Sequence, residues 1–532
     1  MTGVARRAGD ARLPGAILAA ASVALVVWLL LLARGSSFWS DDWAFILLRQ
    51  GHDPDVFLRA FNGHFAAVPV AIYKVLLQVA GLSHHWPYRA AVLGLHITGV
   101  ALAWVYLRRR IGAWAALAPA LVLLVFGPAT ELLVYPVNVG FQLAVVCGIG
   151  ALLLLDGTPG RRAALGACAL LTVGVASSSV SIAFLIVAAC TVLGPATRRS
   201  QWWVVGVPAA VYLIWTAAYG ADELHWSNAK IAWQYSVEGL ARTAGSLVAL
   251  GPDWGRPLAL GAAALVLWTI ARAPRPPLRV IGLALGLVVF WALTAMARAQ
   301  LGVPGSERFL YPSAVLLALL LGETLAATAL PRRLAPVLAA VVVAVVVANG
   351  AQLHDQTLAI RDMGAAVFGG VAAVRLEPAA TPDGFHPPIL VYGGTAGQLR
   401  HAVGLYGSLF PGPTEIERAS LPARRSADDT LRAASAPLLR APAPVASTAR
   451  GCVDEGSGQV DVDLPVGGLL VRPGAAPVEV RTRRFAPKFG AADATVTVGA
   501  PQRLVPLPAT GSPAWRVRLS STAPFSVCAP PR

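Results

Sequence analysis

Two adjacent carboxylates, Asp41 and Asp42, stand between Trp39 and Trp43 in the stretch FWSDDWAFILLRQ, just after the apolar run PGAILAAASVALVVWLLLLA. Other residues able to do chemistry recur further on: His64 in FNGHFAAVPVAIY, then His225, Trp226, Asn228 and Lys230 in YGADELHWSNAKIAWQY. Arg298 follows, and then Glu307, Arg308 and Tyr311 in GSERFLYPS. A carboxylate can take a proton from an acceptor hydroxyl. An arginine can clamp a phosphate leaving group. Aromatic faces suit sugar rings and the lipid headgroup zone. Together these residue types suit a site that holds a sugar and a lipid phosphate. Each also has a plainer use. Asp41 and Asp42 suit the N-terminus of the helix that WAFILLRQG would form. His64 suits a structural role, Arg308 an interfacial anchor, and Trp39, Trp43 and Trp226 a membrane belt.

The elements that must position these residues are membrane helices. The chain has 532 residues, 56% of them hydrophobic and 13% charged, too apolar for a soluble protein of this size. Runs near the roughly 20 apolar residues of a spanning helix recur. They fall at about 15–34, 86–107, 112–127, 138–155, 163–176, 180–194, 202–219, 257–271, 280–297, 309–329 and 334–350, about eleven spans. The first reads as a retained helix, not a cleaved signal. The formal charge of +16 sits mostly in arginines of short loops, which argues for membrane anchoring and against nucleic acid. Arg6, Arg7, Arg12, Arg108, Arg109, Arg110, Arg161, Arg162, Arg198, Arg199, Arg272, Arg275, Arg279, Arg332 and Arg333 fall in one set of loops. Asp41, Asp42, Asp53, Asp55, Glu131, Asp222, Glu223, Glu238, Asp253 and Glu307 fall in the alternate set. The arginine set is expected to be cytoplasmic, with the N-terminus inside and everything after about residue 351 outside. Residues 66–81 are apolar, but a span there would invert every later loop. They are expected to lie at the outer face or to re-enter it. Glu323 falls near the cytoplasmic end of its span and reads as interfacial.

Beyond residue 351 the character changes. Residues 351–450 read as an extracytoplasmic connecting region, with 411–450 a Pro/Ala-rich linker. From Gly451 to 532, stretches such as QVDVDLPVGGLLVRP and WRVRLSS alternate apolar and polar residues, the pattern of a small β-sandwich. Cys452 and Cys528 bracket this region and are expected to pair in an oxidising compartment. Cys147, Cys168 and Cys190 fall in spans and read as packing residues. No Cys/His spacing suggests zinc, and no glycine loop suggests a nucleotide.

The order of the short motifs resembles the GT-C glycosyltransferases, polytopic enzymes that use polyprenyl-phosphate sugars on the extracytoplasmic side. SDDW resembles the acidic motif of their first outer loop. GHFAAVPVAIY resembles the His-then-Pro segment of protein mannosyltransferase-like members, and ERFLYP the late Arg-Tyr motif. The tail resembles the β-domains appended to some actinobacterial envelope members. The resemblance implies a GT-C-like membrane domain over residues 1–350, with the active site in the first outer loop, 35–86. It implies an inverting transfer of a sugar from a polyprenyl-phosphate donor to a hydroxyl on an envelope glycan, lipid or protein. Asp41 would be the base, and Asp42 would bind sugar or a divalent cation, Mg or Mn. Arg308 would meet the phosphate with Tyr311 beside it, and His64 would line the substrate site; HWSNAK, with Trp226 and Lys230, reads from its own residues as a substrate loop. The enzyme would be a multi-pass plasma (inner) membrane protein. Two rivals remain: a transporter or flippase of lipid-linked envelope precursors, and a non-catalytic envelope assembly protein.

Overall fold

The computed structural model describes residues 11–157, 159–193, 201–220, 224–302, 306–326, 332–390, 393–407, 413–435, 438–440, 450–499, 501–505, 507 and 513–529. Arg6, Arg7, Arg198, Arg199, Asp222 and Glu223 lie outside them, as does the side chain of Glu307. The chain divides into two units. One holds residues 1–34, 49–79 and 86–360; the other holds 35–48, 80–85 and 361–532. The first outer loop of the sequence reading is therefore shared between the two.

The first unit is helical. Among its described residues and the helix that leads out of it, seven helices are long and apolar enough to cross a membrane. An eighth span is counted if the bent pair Ala113–Leu124 and Gly127–Val134 forms one. Three of the eleven expected spans are shorter helices: Arg161–Val175, Ser181–Val192 and Trp203–Tyr219, of 15, 12 and 17 residues. Each is shorter than the roughly 20 residues typical of a span, and Ser181–Val192 buries Ala183, Phe184 and Val187 in protein. The tempting run at 66–81 is a 14-residue helix, Ala67–Ala80, shorter than a span. Small residues let the helices approach closely. A Cβ on Gly148 would lie 2.2 Å from the Phe184 ring, and one on Gly255 would lie 1.9 Å from the Ala241 carbonyl oxygen.

Three of the arginine-bearing segments meet in one ion network. Arg110 bonds Glu323 at 2.6 Å and Asp156 at 3.4 Å, and Arg279 bonds Asp156 at 2.6 Å. Glu323 is a partner in this network, with Tyr106 donating to it. Residues 62–64, 179–180, Gly220, Leu224 and Arg298 meet around a separate cavity.

The second unit carries the β structure. Among the described residues, nine short strands form two antiparallel sheets, ordered β1-β7-β4-β9-β2 and β3-β8-β5-β6. Their ranges are β1 Leu439–Arg440, β2 Arg450–Glu455, β3 Gly458–Asp463, β4 Leu469–Pro473, β5 Val478–Arg483, β6 Ala494–Val496, β7 Gln502–Leu504, β8 Arg516–Ser521 and β9 Phe525–Ala529. Alternation buries Val478, Val480 and Thr482 on β5, and Val517, Leu519 and Ser521 on β8. The Cys452–Cys528 disulfide joins the neighbouring strands β2 and β9.

The expected linker is different. Within 411–450, residues 413–418 and 421–434 are helical. Helix Leu421–Ala434 buries Ala423, Ser426, Ala427, Thr430 and Leu431, a helical stripe. Its Ala and Arg content, which suggested a linker, is also good helix-forming content. Helix Ala335–Leu376 runs on for 42 residues, well past the boundary expected at 350.

Candidate functional site

Asp41 and Asp42 open the nine-residue helix Ser40–Leu48 in the second unit. Trp39 donates its backbone N–H to Asp42 Oδ2 at 2.7 Å. Carboxylates in a first turn are favoured by the helix dipole, so capping is a real role for Asp42. Its side chain is wholly buried, and Asp41 keeps 8% exposure. Trp43 is a core residue here, 1% exposed and edge-on to Phe38 at 5.8 Å, not part of a membrane belt. Among the described residues no group of three His, Cys, Asp or Glu side chains could hold a metal ion. Asp42 is buried, with its Oδ2 taken up by the Trp39 N–H at the helix start.

His64 lies in the first unit, at the end of a tight turn. Phe61 and His64 exchange both backbone hydrogen bonds, at 3.1 and 2.9 Å. Asn62 and Gly63 between them have φ of 47° and 76°. Two consecutive positive φ values define the type I′ hairpin turn that Asn-Gly favours. Arg298, at the end of helix Leu278–Arg298, donates to the Asn62 carbonyl at 2.8 Å and so pins the turn. The His64 ring bonds Ser179 Oγ through Nδ1 at 2.6 Å and stands edge-on to Phe141 at 5.5 Å. Burial, then the charges of Arg298 and Arg308, pull its pKa down to about 4. The imidazole is therefore neutral at physiological pH.

These residues border a cavity of about 260 Å³. Asn62, Gly63, His64, Ser179 and Arg298 supply its polar edge. Trp215, Phe290, Leu293 and Phe309 supply apolar wall. Trp215 is fixed in place by its N–H bond to the Leu58 carbonyl at 2.7 Å and by stacking on Phe65 at 4.8 Å. Arg308 stands at the start of helix Glu307–Leu325, with its Nε 3.1 Å from Ser306 Oγ and 3.7 Å from Glu131 Oε1.

The other expected site residues are elsewhere. Tyr311 is fully buried among helices, its ring 5.2 Å from His96. It sits nearly one helical turn, about 5 Å, beyond Arg308 along the axis, and does not line the cavity. Trp226 is 80% exposed and Lys230 is exposed; neither lines it. Their segment contributes Gly220 and Leu224 instead. Asn228 is buried and bonds the Met296 carbonyl and Gln300, a structural tie. Ser179, Trp215 and the Asn62–Gly63 turn were missed as site residues. Only the Asn-Gly pair left a signal in the sequence.

The geometry defines a polytopic helical membrane protein with a β-rich domain and an amphipathic cavity among its spans. No protein-family model matches the chain, and no curated protein matches it. Among solved structures it is similar to the crystal structure of ArnT from Cupriavidus metallidurans bound to undecaprenyl phosphate. That likeness has 14% identity and a TM-score of 0.45, over 76% of this chain and 90% of that one. A likeness at this level assigns neither activity nor ligand.

Proposed function

We propose that the protein is an inverting glycosyltransferase of the GT-C type, moving a sugar from a polyprenyl-phosphate donor to an envelope hydroxyl. The observation that carries the reading is the cavity: an apolar chamber with Arg298 and neutral His64 at its edge and Arg308 within electrostatic reach. A lipid phosphate has that same division into apolar chain and anionic head. Arg308 would neutralise the departing phosphate. Asp41 would remove the acceptor proton as the sugar's anomeric carbon is attacked. With the arginine-rich loops cytoplasmic, the cavity and the β-rich unit face outward. The sugar would be a hexose or pentose, and the acceptor an envelope glycan, lipid or protein.

The test is transfer of labelled sugar from purified polyprenyl-phosphate donors by protein in nanodiscs. Asp41→Asn keeps the size and most of the capping capacity, and is expected to lower turnover by roughly 10²–10⁴-fold. Normal turnover in that variant sinks the assignment of the base, and loss only in Asp42→Asn moves the role one residue along.

A second reading, a transporter of lipid-linked precursors, is favoured by one observation. The span 113–134 is broken, with a bend of 52°, and broken spans recur at transport sites. Donor that crosses the bilayer intact, with no sugar released to any hydroxyl, would favour this reading.

A further inference from the structure

We infer that Glu131 is the resident counterion of Arg308, set in place by the broken span, and that a lipid phosphate displaces it on binding. The inference rests on the reading of Arg308 as a phosphate-binding residue.

The break is a fixed structure. Helix Ala113–Leu124 ends, a 3₁₀ turn Gly127–Ala129 follows, and Thr130–Val134 resumes as a short helix. Pro128 lacks an N–H and its ring blocks a continuous helix. The break frees backbone groups that apolar surroundings would leave unpaired. Side chains from two other helices take them up. His96 Nε2 meets the Leu124 carbonyl at 3.0 Å, and Asn349 Oδ1 accepts the Gly127 N–H at 3.0 Å. Thr130 Oγ1 donates to Gln356 Oε1 at 2.8 Å. His96, Thr130 and Asn349 are each 0% exposed. Asn349 and Gln356 lie seven residues apart on helix Ala335–Leu376, on one face of it. The resumed helix is thus clamped, and Glu131 is carried with it.

The pair itself is built for exchange. Its N–O distance of 3.7 Å is well beyond the 2.7–2.9 Å of a tight charge-assisted bond. Both side chains are partly hydrated, at 32% and 23% exposure, where an ion pair is weak. A phosphate oxygen at bonding distance would outcompete it. Glu131 then stands beside the bound phosphate and repels it, which favours release of the spent carrier lipid. Glu131 is a positioning residue in this account: it orients the guanidinium of the empty site and limits the affinity of the filled one.

The experiment measures binding of a polyprenyl monophosphate, with the neutral polyprenol as control, to full-length protein in nanodiscs. Two charges about 6 Å apart at a partly hydrated surface interact strongly enough for about a tenfold change in Kd. Glu131→Gln is expected to bind the phosphate about tenfold tighter with polyprenol unchanged, and Glu131→Asp to stay near wild type. Arg308→Gln is expected to lose the preference for phosphate over polyprenol. Unchanged or weaker phosphate binding by Glu131→Gln, in protein whose Arg308→Gln variant does lose the preference, overturns the counterion role alone. A preference that survives Arg308→Gln overturns the phosphate reading of Arg308 and this inference with it.

Discussion

At the scale of the residue, the neutral His64 makes a prediction with a definite sign. Its pKa is about 4 in the folded protein against about 6.5 for an unperturbed histidine. Between those values the unfolded chain binds the proton and the folded one does not. The stability that the neutral ring contributes is therefore complete above pH 6.5 and is lost as pH falls toward 4. Thermal unfolding of the detergent-solubilised protein, followed from pH 7 to 4.5, should show this loss, and His64→Gln should flatten it. An equal slope in the variant would assign the loss to other groups. Asp42 gives a second test: Asp42→Ala removes the acceptor for the Trp39 N–H and should cost about 1 kcal/mol of stability. The helix start was legible in SDDW, and the chemical type of His64 in FNGH. Their partners were not. Ser179 lies 115 positions from His64, and one sequence carries no record of such a contact.

At the scale of the element, most helices were visible as apolar runs, and the β strands as alternation. The helices at 161–175, 181–192 and 203–219 are shorter than the roughly 20 residues of a full span, and composition alone does not tell a helix buried in protein from one in lipid. The helix Leu421–Ala434 carries little hydrophobic signal because its buried stripe holds one large apolar residue, Leu431, among Ala, Ser, Thr and Asp428. Two substitutions test the packing. Gly255→Ala places a methyl against the Ala241 carbonyl and should cost about 1–3 kcal/mol through displacement of the two helices. In the second unit, Arg484 and Glu377 form a pair at 2.6 Å with both side chains 1% exposed. Arg484→Met strands a buried carboxylate and should cost about 3–5 kcal/mol, largely recovered by Glu377→Leu in the same chain. Denaturant unfolding of the purified protein reads both. Failure of the double variant to recover would place the cost in lost packing.

At the scale of the whole molecule, the sidedness rests on the arginine loops, and the ion network at Arg110, Asp156, Arg279 and Glu323 gathers one set of them. Single cysteines near Asp41, near Lys230 and in the β-rich region should react with an impermeant thiol reagent applied outside intact cells. One near Arg109 should react only after permeabilisation. The opposite pattern would invert the proposed topology. Reduction of the Cys452–Cys528 bond, which closes a loop across a sequence separation of 76, should destabilise the β structure by roughly 4 kcal/mol in the loop-entropy account.

The strand order carries a consequence for how the protein is made. Strand β9 lies between β4 and β2 in its sheet, yet it comes after both of them in the chain. As synthesis delivers the polypeptide from its N-terminal end, β2 and β4 emerge first and must wait with facing edges unpaired. Cys452 waits with them for Cys528. Until β9 arrives, the half-made sheet offers a strand-sized gap with its hydrogen-bonding edges open, a natural handle for a chaperone. A ribosome that stalls before residue 525 leaves a membrane domain already inserted and a sheet that has no way to close.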